Sequence, residues 1–477
     1  MYILNQTNTK LLKPNQMMHK FLLLFCISIF SLSSYAQNIE GSWSGKINVG
    51  ISLSLGVNIT KENGKFTSTI DSPDQQVFDI PTDSTVIKGD SIFIYSEPMK
   101  VKIFGKISEG KIASTFDQMG SKTELILTPG KPVAKNFYQT PKGPFNYNIE
   151  EVVFENKWDK IKLAGTLTTP KNDDNYPIVI LSSGSGAQDR DCSIFGHKSF
   201  WVIADYLTKK GIGVLRFDDR GTGKSEGNFS NTTVNGFAND VKSAVKFIKA
   251  DKRFKKNKVG LIGHSEGSMH CAIAQYKNKN VDLYISLAGV GVTGKEVYLR
   301  QRRLIGESVN STENEILKDS TLINNLIEIN ANYTGYEGGA PMREYAIKFL
   351  DENPDMLDST NTKDAWLSLM LPFLNNDWAR EFMSYDPSKY FGKSRIPVLI
   401  INGDKDIQVD CRQNVDGFLE ILKAGKIRSY STQEFGGLNH LFQKCTECTL
   451  AEYSELEETF NEEVTKAMAE YILEYIK

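Results

Sequence analysis

The chain has 477 residues, 40% of them hydrophobic and 24% charged, with 37 glycines and 15 prolines. That composition excludes a disordered tail or a minimal module and, at about 150 residues per domain, predicts two or three domains. Lysine and arginine total 56 against 58 aspartate and glutamate, a formal charge of -2, so no cationic surplus exists to neutralise a phosphate backbone, and nucleic acid is not an expected partner.

The strongly apolar run Phe21–Phe30 follows Lys13, His19 and Lys20 and precedes Ser34-Tyr35-Ala36. A basic segment, a short apolar segment and a small-x-small site predict a secretory signal peptide over residues 1–36 and export to the periplasm or extracellular space. The run is too short to cross a bilayer comfortably, so no stable membrane span is expected once it is removed; a retained N-terminal anchor is the other reading. Initiation at Met17 or Met18 tightens the signal without changing it. Beyond Cys26 the cysteines are Cys192, Cys271, Cys411, Cys445 and Cys448. An odd number in an exported chain leaves at least one free thiol or an intermolecular bond. Cys445-Thr-Glu-Cys448 has no second C-x-x-C to complete a zinc site, so a disulfide is expected, its pairing left open.

From Gly41 to about Pro129, short β-rich runs (46–49, 53–60, 66–70, 86–87, 91–95, 102–107, 111–116 and 124–127) alternate with turn signals such as Asn63-Gly64, Gly89-Asp90 and Glu109-Gly110. They predict a small antiparallel sheet or barrel over 37–130. It contains no His or Cys and no acid constellation that calls for catalysis, and reads as a packing or substrate-positioning module, with an independent ligand-binding barrel as the alternative. A Pro- and Lys-containing linker follows over 131–144. From 145 to 477 the pattern changes: a hairpin at 151–154 and 161–168 leads into continuous apolar runs at 178–181, 213–217, 258–262, 283–287 and 396–401, the signature of strands buried on both faces. Helical periods between them (Val241, Ala244, Val245, Ile248; Ile273 with Tyr276) imply a mostly parallel α/β sheet. The alternation stops at about 292–388, a mainly helical stretch (316–329, 342–350, 365–374) placed to act as a cap over a site at the strand ends.

Gly-x-Ser-x-Gly occurs twice, at Gly223-Lys-Ser225-Glu-Gly227 and Gly263-His-Ser265-Glu-Gly267. A nucleophile elbow needs a strand running into the turn and a helix leaving it, because the strained turn lifts the hydroxyl clear and the helix N-terminus faces developing negative charge. Only Ser265 has both flanks; Ser225 lies in loop sequence and reads as a turn serine. Gly223-Lys224-Ser225 mimics the tail of a phosphate-binding loop, but the required glycine five residues earlier is Asp218. A serine hydroxyl needs a base, and the base an orienting carboxylate. Of five histidines, His19 lies in the signal, His264 and His270 flank the nucleophile, with His264 expected to point elsewhere, and His197 follows the oxyanion candidate. His440 alone follows every strand, as the chain order Ser, acid, His requires. The apolar run 398–401 delivers two competing acids, Asp404 and Asp406.

Gly-His-Ser-Glu-Gly, the Asp-Arg-Gly-x-Gly-x-Ser loop at 219–225, Gly-x-x-Asp-x-x-Val at 403–409 and Asn-His at 439–440 together resemble the α/β-hydrolase superfamily, and more closely its exported esterase and serine-aminopeptidase-like branch, over residues 145–477. The resemblance implies an α/β-hydrolase fold with a mainly helical cap insertion, preceded by the β domain. It also implies Asp406 as the triad acid, Asp404 as a loop cap, and Asp219 and Arg220 as architectural residues. One oxyanion donor is expected from the backbone N–H of Glu266, the residue after the nucleophile. The other is expected from the turn at 182–191, where Ser183-Gly184 replaces a common His-Gly, with Ser185 assigned and Gly186 the alternative. The Glu266 carboxylate is expected to be solvated or hydrogen-bonded rather than catalytic.

The resulting expectation is an exported serine hydrolase acting on a small-molecule ester or short peptide through an acyl-enzyme, with Ser265, His440 and Asp406 as triad. No metal or organic cofactor is called for, and the oligomeric state is left open. Ester hydrolysis leads; aminopeptidase-type cleavage is the alternative and needs an acid near the site to read a free amine, with Glu307, Glu315 and Glu337 as cap candidates. A non-catalytic binding protein on a hydrolase scaffold is the reading from another class.

Overall fold

The computed structural model describes residues 39–48, 52–75, 77–132, 137–171, 175–357, 362–392, 394–425, 427 and 429–476. The expected signal segment lies outside them. No helix among the described residues is long and apolar enough to cross a membrane.

The N-terminal region is a nine-stranded antiparallel sheet of β1 (Gly41–Asn48), β2 (Ser52–Glu62), β3 (Lys65–Ser72), β4 (Val77–Pro81), β5 (Ser84–Lys88), β6 (Ser91–Ser96), β7 (Val101–Ser108), β8 (Lys111–Gln118) and β9 (Ser121–Pro129). The spatial order β4-β3-β2-β1-β9-β8-β7-β6-β5 places β4 and β5 at opposite edges. The sheet curls until the Ser68 and Thr85 hydroxyls share a hydrogen bond of 2.7 Å. Period-two alternation turns Trp43, Ile47, Val57, Ile70, Ile94, Ile103, Ile112, Leu125 and Leu127 into one buried cluster. Strand β4, whose Val77 and Phe78 are exposed, carries no inward apolar row and was not expected from sequence.

The second sheet has eight strands: β10 (Asn148–Asn156), β11 (Ile161–Thr169), β12 (Ile178–Ser182), β15 (Gly213–Phe217), β16 (Val259–His264), β17 (Leu283–Leu287), β18 (Val398–Gly403) and β19 (Tyr430–Phe435); β13 (Ser193–Ile194) and β14 (His197–Lys198) form a separate two-stranded pair. The order is β10-β11-β15-β12-β16-β17-β18-β19, with β11 antiparallel to its neighbours and every pairing from β15 to β19 parallel. The apolar runs are continuous because both faces are covered. Ile178 and Ile180 of β12 belong to one cluster and Val179 and Leu181 to the other; Val398 and Ile400 of β18 part from Leu399 and Ile401 in the same way. Helices α1 (Ser199–Lys209) and α11 (Glu462–Ile476) bury Ile203, Leu207, Val464, Met468 and Ile472 on one face, while α2 (Val234–Ala250), α3 (Gly267–Gln275) and α10 (Cys411–Ala424) bury Val241, Ala244, Met269 and Phe418 on the other.

Between β17 and β18 the chain forms α4 (Gly294–Ser308), α5 (Glu313–Asn330), α6 (Gly339–Glu352), α7 (Lys363–Leu374), α8 (Asp377–Met383) and the one-turn α9 (Ser388–Phe391), the helical insertion expected from the loss of strand runs. Thr293 and Thr312 start α4 and α5 with capping boxes through Glu296 and Glu315. Strand β19 completes the sheet beside β18 although its residues are only half buried; such an edge strand lacks the apolar run that marks the others.

Candidate active site

Ser265 sits between β16 and α3 with φ of 55°, in the left-handed region that costs a side-chain-bearing residue energy and that a sharp strand-to-helix turn imposes. The flanking glycines have a steric reason. A Cβ on Gly263 would overlap the Gly267 carbonyl, and one on Gly267 would overlap the Ser182 and Ser183 carbonyls at the end of β12. The Ser265 amide donates to Leu287 O at 2.9 Å, anchoring the turn to β17. Ser225 has a different setting: its hydroxyl donates to Asp218 O at 2.7 Å and accepts from Ala164 N at 3.0 Å, so both its capacities serve the loop.

Loops after β18 and β19 bring Asp406 and His440 together. Asp404 N donates to Phe435 O at 3.1 Å, Lys405 N to Leu438 O at 3.1 Å, and Gly437 N to Asp404 Oδ1 at 2.6 Å. Asp404 thus stitches the loops, and Asp406 is the residue delivered to the imidazole: His440 Nδ1 lies 2.7 Å from Asp406 Oδ2, with both side chains buried. Asp406 Oδ1 accepts the amides of Gln408 at 2.8 Å and Val409 at 2.9 Å, which fixes the carboxylate's orientation. Asn439 holds the histidine loop by accepting the amides of Leu441 and Gln443.

His264, expected to point away, takes part in the site. Its Nε2 donates to His440 O at 2.9 Å and the two rings stand 4.9 Å apart. Burial, with the neighbouring imidazole, pushes its pKa down to about 3, so it is a neutral donor that supports the His440 backbone. A histidine next to Ser265 in the chain carries no sequence signal of that contact. His197 is engaged elsewhere, at 2.9 Å from Thr459 Oγ1 and 3.1 Å from Gln443 Nε2.

Ser265, His264 and His440 line one cavity of about 410 Å³ together with Gly184, Ser185 and Gln188 of the turn after β12. A Cβ on Gly184 would come within 3.0 Å of Ser265 Cβ, so that turn passes against Ser265. Among the described residues the amides of Ser185 and Glu266 donate to no protein acceptor. No hydrogen bond joins Ser265 to His440 among the described residues. The roof is aromatic: Tyr298 stacks on Phe373 at 5.9 Å, Phe373 meets Trp378 edge-on at 5.5 Å, and Trp378 packs on Phe382 at 5.3 Å.

Architectural charges surround the site. Arg220 bonds Asp240 through Nε at 2.7 Å and Nη2 at 2.8 Å. Asp219 accepts from Ser183 Oγ and Gln188 N, and burial pushes its pKa up to about 7 despite them. Cys445 and Cys448 form a disulfide in the loop after His440, while Cys192, Cys271 and Cys411 are free and buried.

A parallel sheet with an antiparallel second strand, a serine elbow at the end of a central strand and a helical insertion define an α/β hydrolase. Residues 198–441 match the family described as "Serine aminopeptidase, S33", just over half of the chain, and the chain belongs to that family. It is 33% identical over 162 residues to Esterase EstD of Thermotoga maritima, 34% of each chain, so it spans about a third of that relative's length. It is 23% identical over 251 residues to an uncharacterized 31.7 kDa protein in the traX-finO intergenic region of Escherichia coli, covering 51% of this chain and 77% of that one. Among solved structures it resembles the Pyrococcus furiosus esterase Pf2001 (18% identity, TM-score 0.42, 71% of this chain and 96% of that one). It also resembles Est1E of Butyrivibrio proteoclasticus with ferulic acid bound (18%, 0.42, 68% and 99%).

Proposed function

We propose that the protein is an exported serine hydrolase that cleaves carboxylic esters through an acyl-enzyme. The observation that carries this reading is the convergence, on one cavity, of a serine held at a strained elbow and an imidazole backed by a buried carboxylate. Ser265 Oγ attacks the ester carbonyl carbon as its proton passes to His440 Nε2. Asp406 holds the imidazole in the tautomer that leaves Nε2 free to accept and stabilises the cation formed. The carbonyl oxygen takes the negative charge and is met by the amides of Ser185 and Glu266, each donor worth about 2.7–4 kcal/mol. Collapse breaks the bond to the alcohol, which leaves with the proton from Nε2. Water then repeats the sequence on the acyl-enzyme and releases the acid.

The cavity favours an ester over a free-amine peptide. Its lining holds no carboxylate among the described residues, and Asp406 beside it is committed to His440. Glu307 pairs with Arg303, Glu315 caps α5 and Glu337 lies by Thr334, all away from that lining. The named esterase activity of EstD supports the same choice. Export rests on the apolar run and cleavage site at 21–36. A fluorophosphonate probe tests the chemistry: labelling lost in Ser265→Ala and kept in Ser225→Ala is expected, and folded wild-type protein that does not label is a binding protein instead. Assaying p-nitrophenyl esters beside aminoacyl-arylamides decides the leaving group, with faster arylamide turnover overturning the ester assignment.

A further inference from the structure

Of the two settings expected for the Glu266 side chain, solvated or hydrogen-bonded, the structure shows the second: it is only 3% exposed, in the middle of the site's framework. Three donors from three elements converge on it: Ser185 Oγ at 2.7 Å from the turn after β12, Trp378 Nε1 at 2.7 Å from α8, and His270 Nε2 at 3.3 Å from α3. Burial pushes its pKa up, but these hydrogen bonds outweigh it and hold the carboxyl below its ordinary value. An ionised carboxylate only accepts, so all three partners are fixed as donors, including the tautomer of His270. The turn it reaches needs a tether: Ser185, Gly186 and Ala187 are exposed, Gly186 has φ of 90°, and the Ser185 hydroxyl is what ties that tip to the elbow.

We propose that Glu266 is a positioning residue whose carboxylate fastens both the oxyanion turn, through Ser185, and the cap helix α8, through Trp378, to the nucleophile elbow. The inference rests on the hydrolase reading above and adds that the cap and the oxyanion donor are located by one buried charge. Ser185 then acts twice, its amide on the substrate oxygen and its hydroxyl on the tether, while the Trp378 indole is held where it roofs the acyl cavity. A loosened turn misplaces an oxyanion donor and lowers kcat, whereas a loosened cap weakens acyl binding and raises KM.

The experiment measures kcat and KM on p-nitrophenyl acetate and butyrate, with fluorophosphonate labelling and thermal unfolding alongside. Ser185→Ala is expected to lower kcat about tenfold with KM within about twofold, and Ser185→Thr, which restores a hydroxyl, to recover to within about threefold of wild type. Trp378→Phe is expected to raise KM for butyrate at least about threefold with kcat nearly unchanged. Glu266→Gln is expected to lose about tenfold in kcat, and adding Ser185→Ala to it to cost less than a further twofold or so, because the two act through one contact. Ser185→Ala with wild-type kcat, or losses that multiply in the double variant, overturns the tether. Should Glu266→Gln not fold, the Ser185→Ala and Ser185→Thr pair decides the matter alone. Wild-type protein that fails to label sinks the hydrolase reading itself, whereas labelling together with an indifferent Ser185 sinks only this inference.

Discussion

Replacing Asp406 by asparagine isolates the carboxylate's role with almost no change in shape. Asp406 Oδ1 accepts two backbone amides, from Gln408 and Val409, so an asparagine must keep its carbonyl oxygen there and turn its NH₂ toward His440. That group donates, which forces His440 Nδ1 to accept and moves the ring's proton to Nε2, the atom that should take the proton from Ser265. The ring remains in place with the wrong tautomer. The same change in a serine protease triad lowers kcat by about 10⁴, equivalent to roughly 5 kcal/mol of transition-state stabilisation. The assay is kcat/KM on p-nitrophenyl acetate with the unfolding midpoint as a control. Asp404→Asn supplies the comparison: Asp404 accepts Gly437 N at the loop surface and is expected to lose less than about threefold in activity. A folded Asp406→Asn variant within about tenfold of wild type, or a larger loss from Asp404→Asn, refutes the assignment of the acid.

Ser265→Ala is expected to cost about four decades or more in kcat with an unchanged unfolding profile. Ser225→Ala should instead keep activity while losing about 1–3 kcal/mol of stability in chemical unfolding, because it strands the Ala164 amide and the Asp218 carbonyl. Gly267→Ala drives a methyl into two carbonyls of β12 and is expected to abolish soluble, active protein; a folded and active variant contradicts the packing described for the elbow. Asp219 and His264 should be visible in the pH dependence of stability. With the Asp219 pKa raised to about 7, the native state holds a proton that the unfolded state has released, so this group's contribution falls as pH rises from about 4 to about 7. The depressed His264 acts oppositely, its contribution rising with pH up to about 6.5. The two slopes offset each other in the wild type. Asp219→Asn removes one, so its stability relative to wild type should climb by about 1.4 kcal/mol per pH unit across that window and level off above about pH 7; a pH-independent difference contradicts the shift.

The parallel core was legible because strands buried on both faces must be apolar along their length, and runs such as 178–181 or 398–401 are too short for a buried helix and alternate with helical periods. Strand β19 was not, since an edge strand reading Tyr-Ser-Thr-Gln-Glu-Phe needs no such run and takes its register from β18. The same contrast governs the site. Ser265 was separable from Ser225 because an elbow constrains its neighbours locally: both serines have the two glycines, but only Ser265 has a strand before and a helix after. His264 and the Glu266 carboxylate escaped because their partners, the His440 carbonyl and the Trp378 indole, lie more than a hundred residues away in the chain.

By itself the sequence determined which groups are candidates to react and the alternation of strand and helix that carries them, since both follow from residue type and short-range periodicity. Which aspartate meets His440, where the oxyanion turn lies against Ser265, and that one buried carboxylate links turn to cap were decided by the tertiary structure. Those are distances between loops at the ends of separate strands, set by the stacking of a parallel sheet rather than by any local preference of the chain.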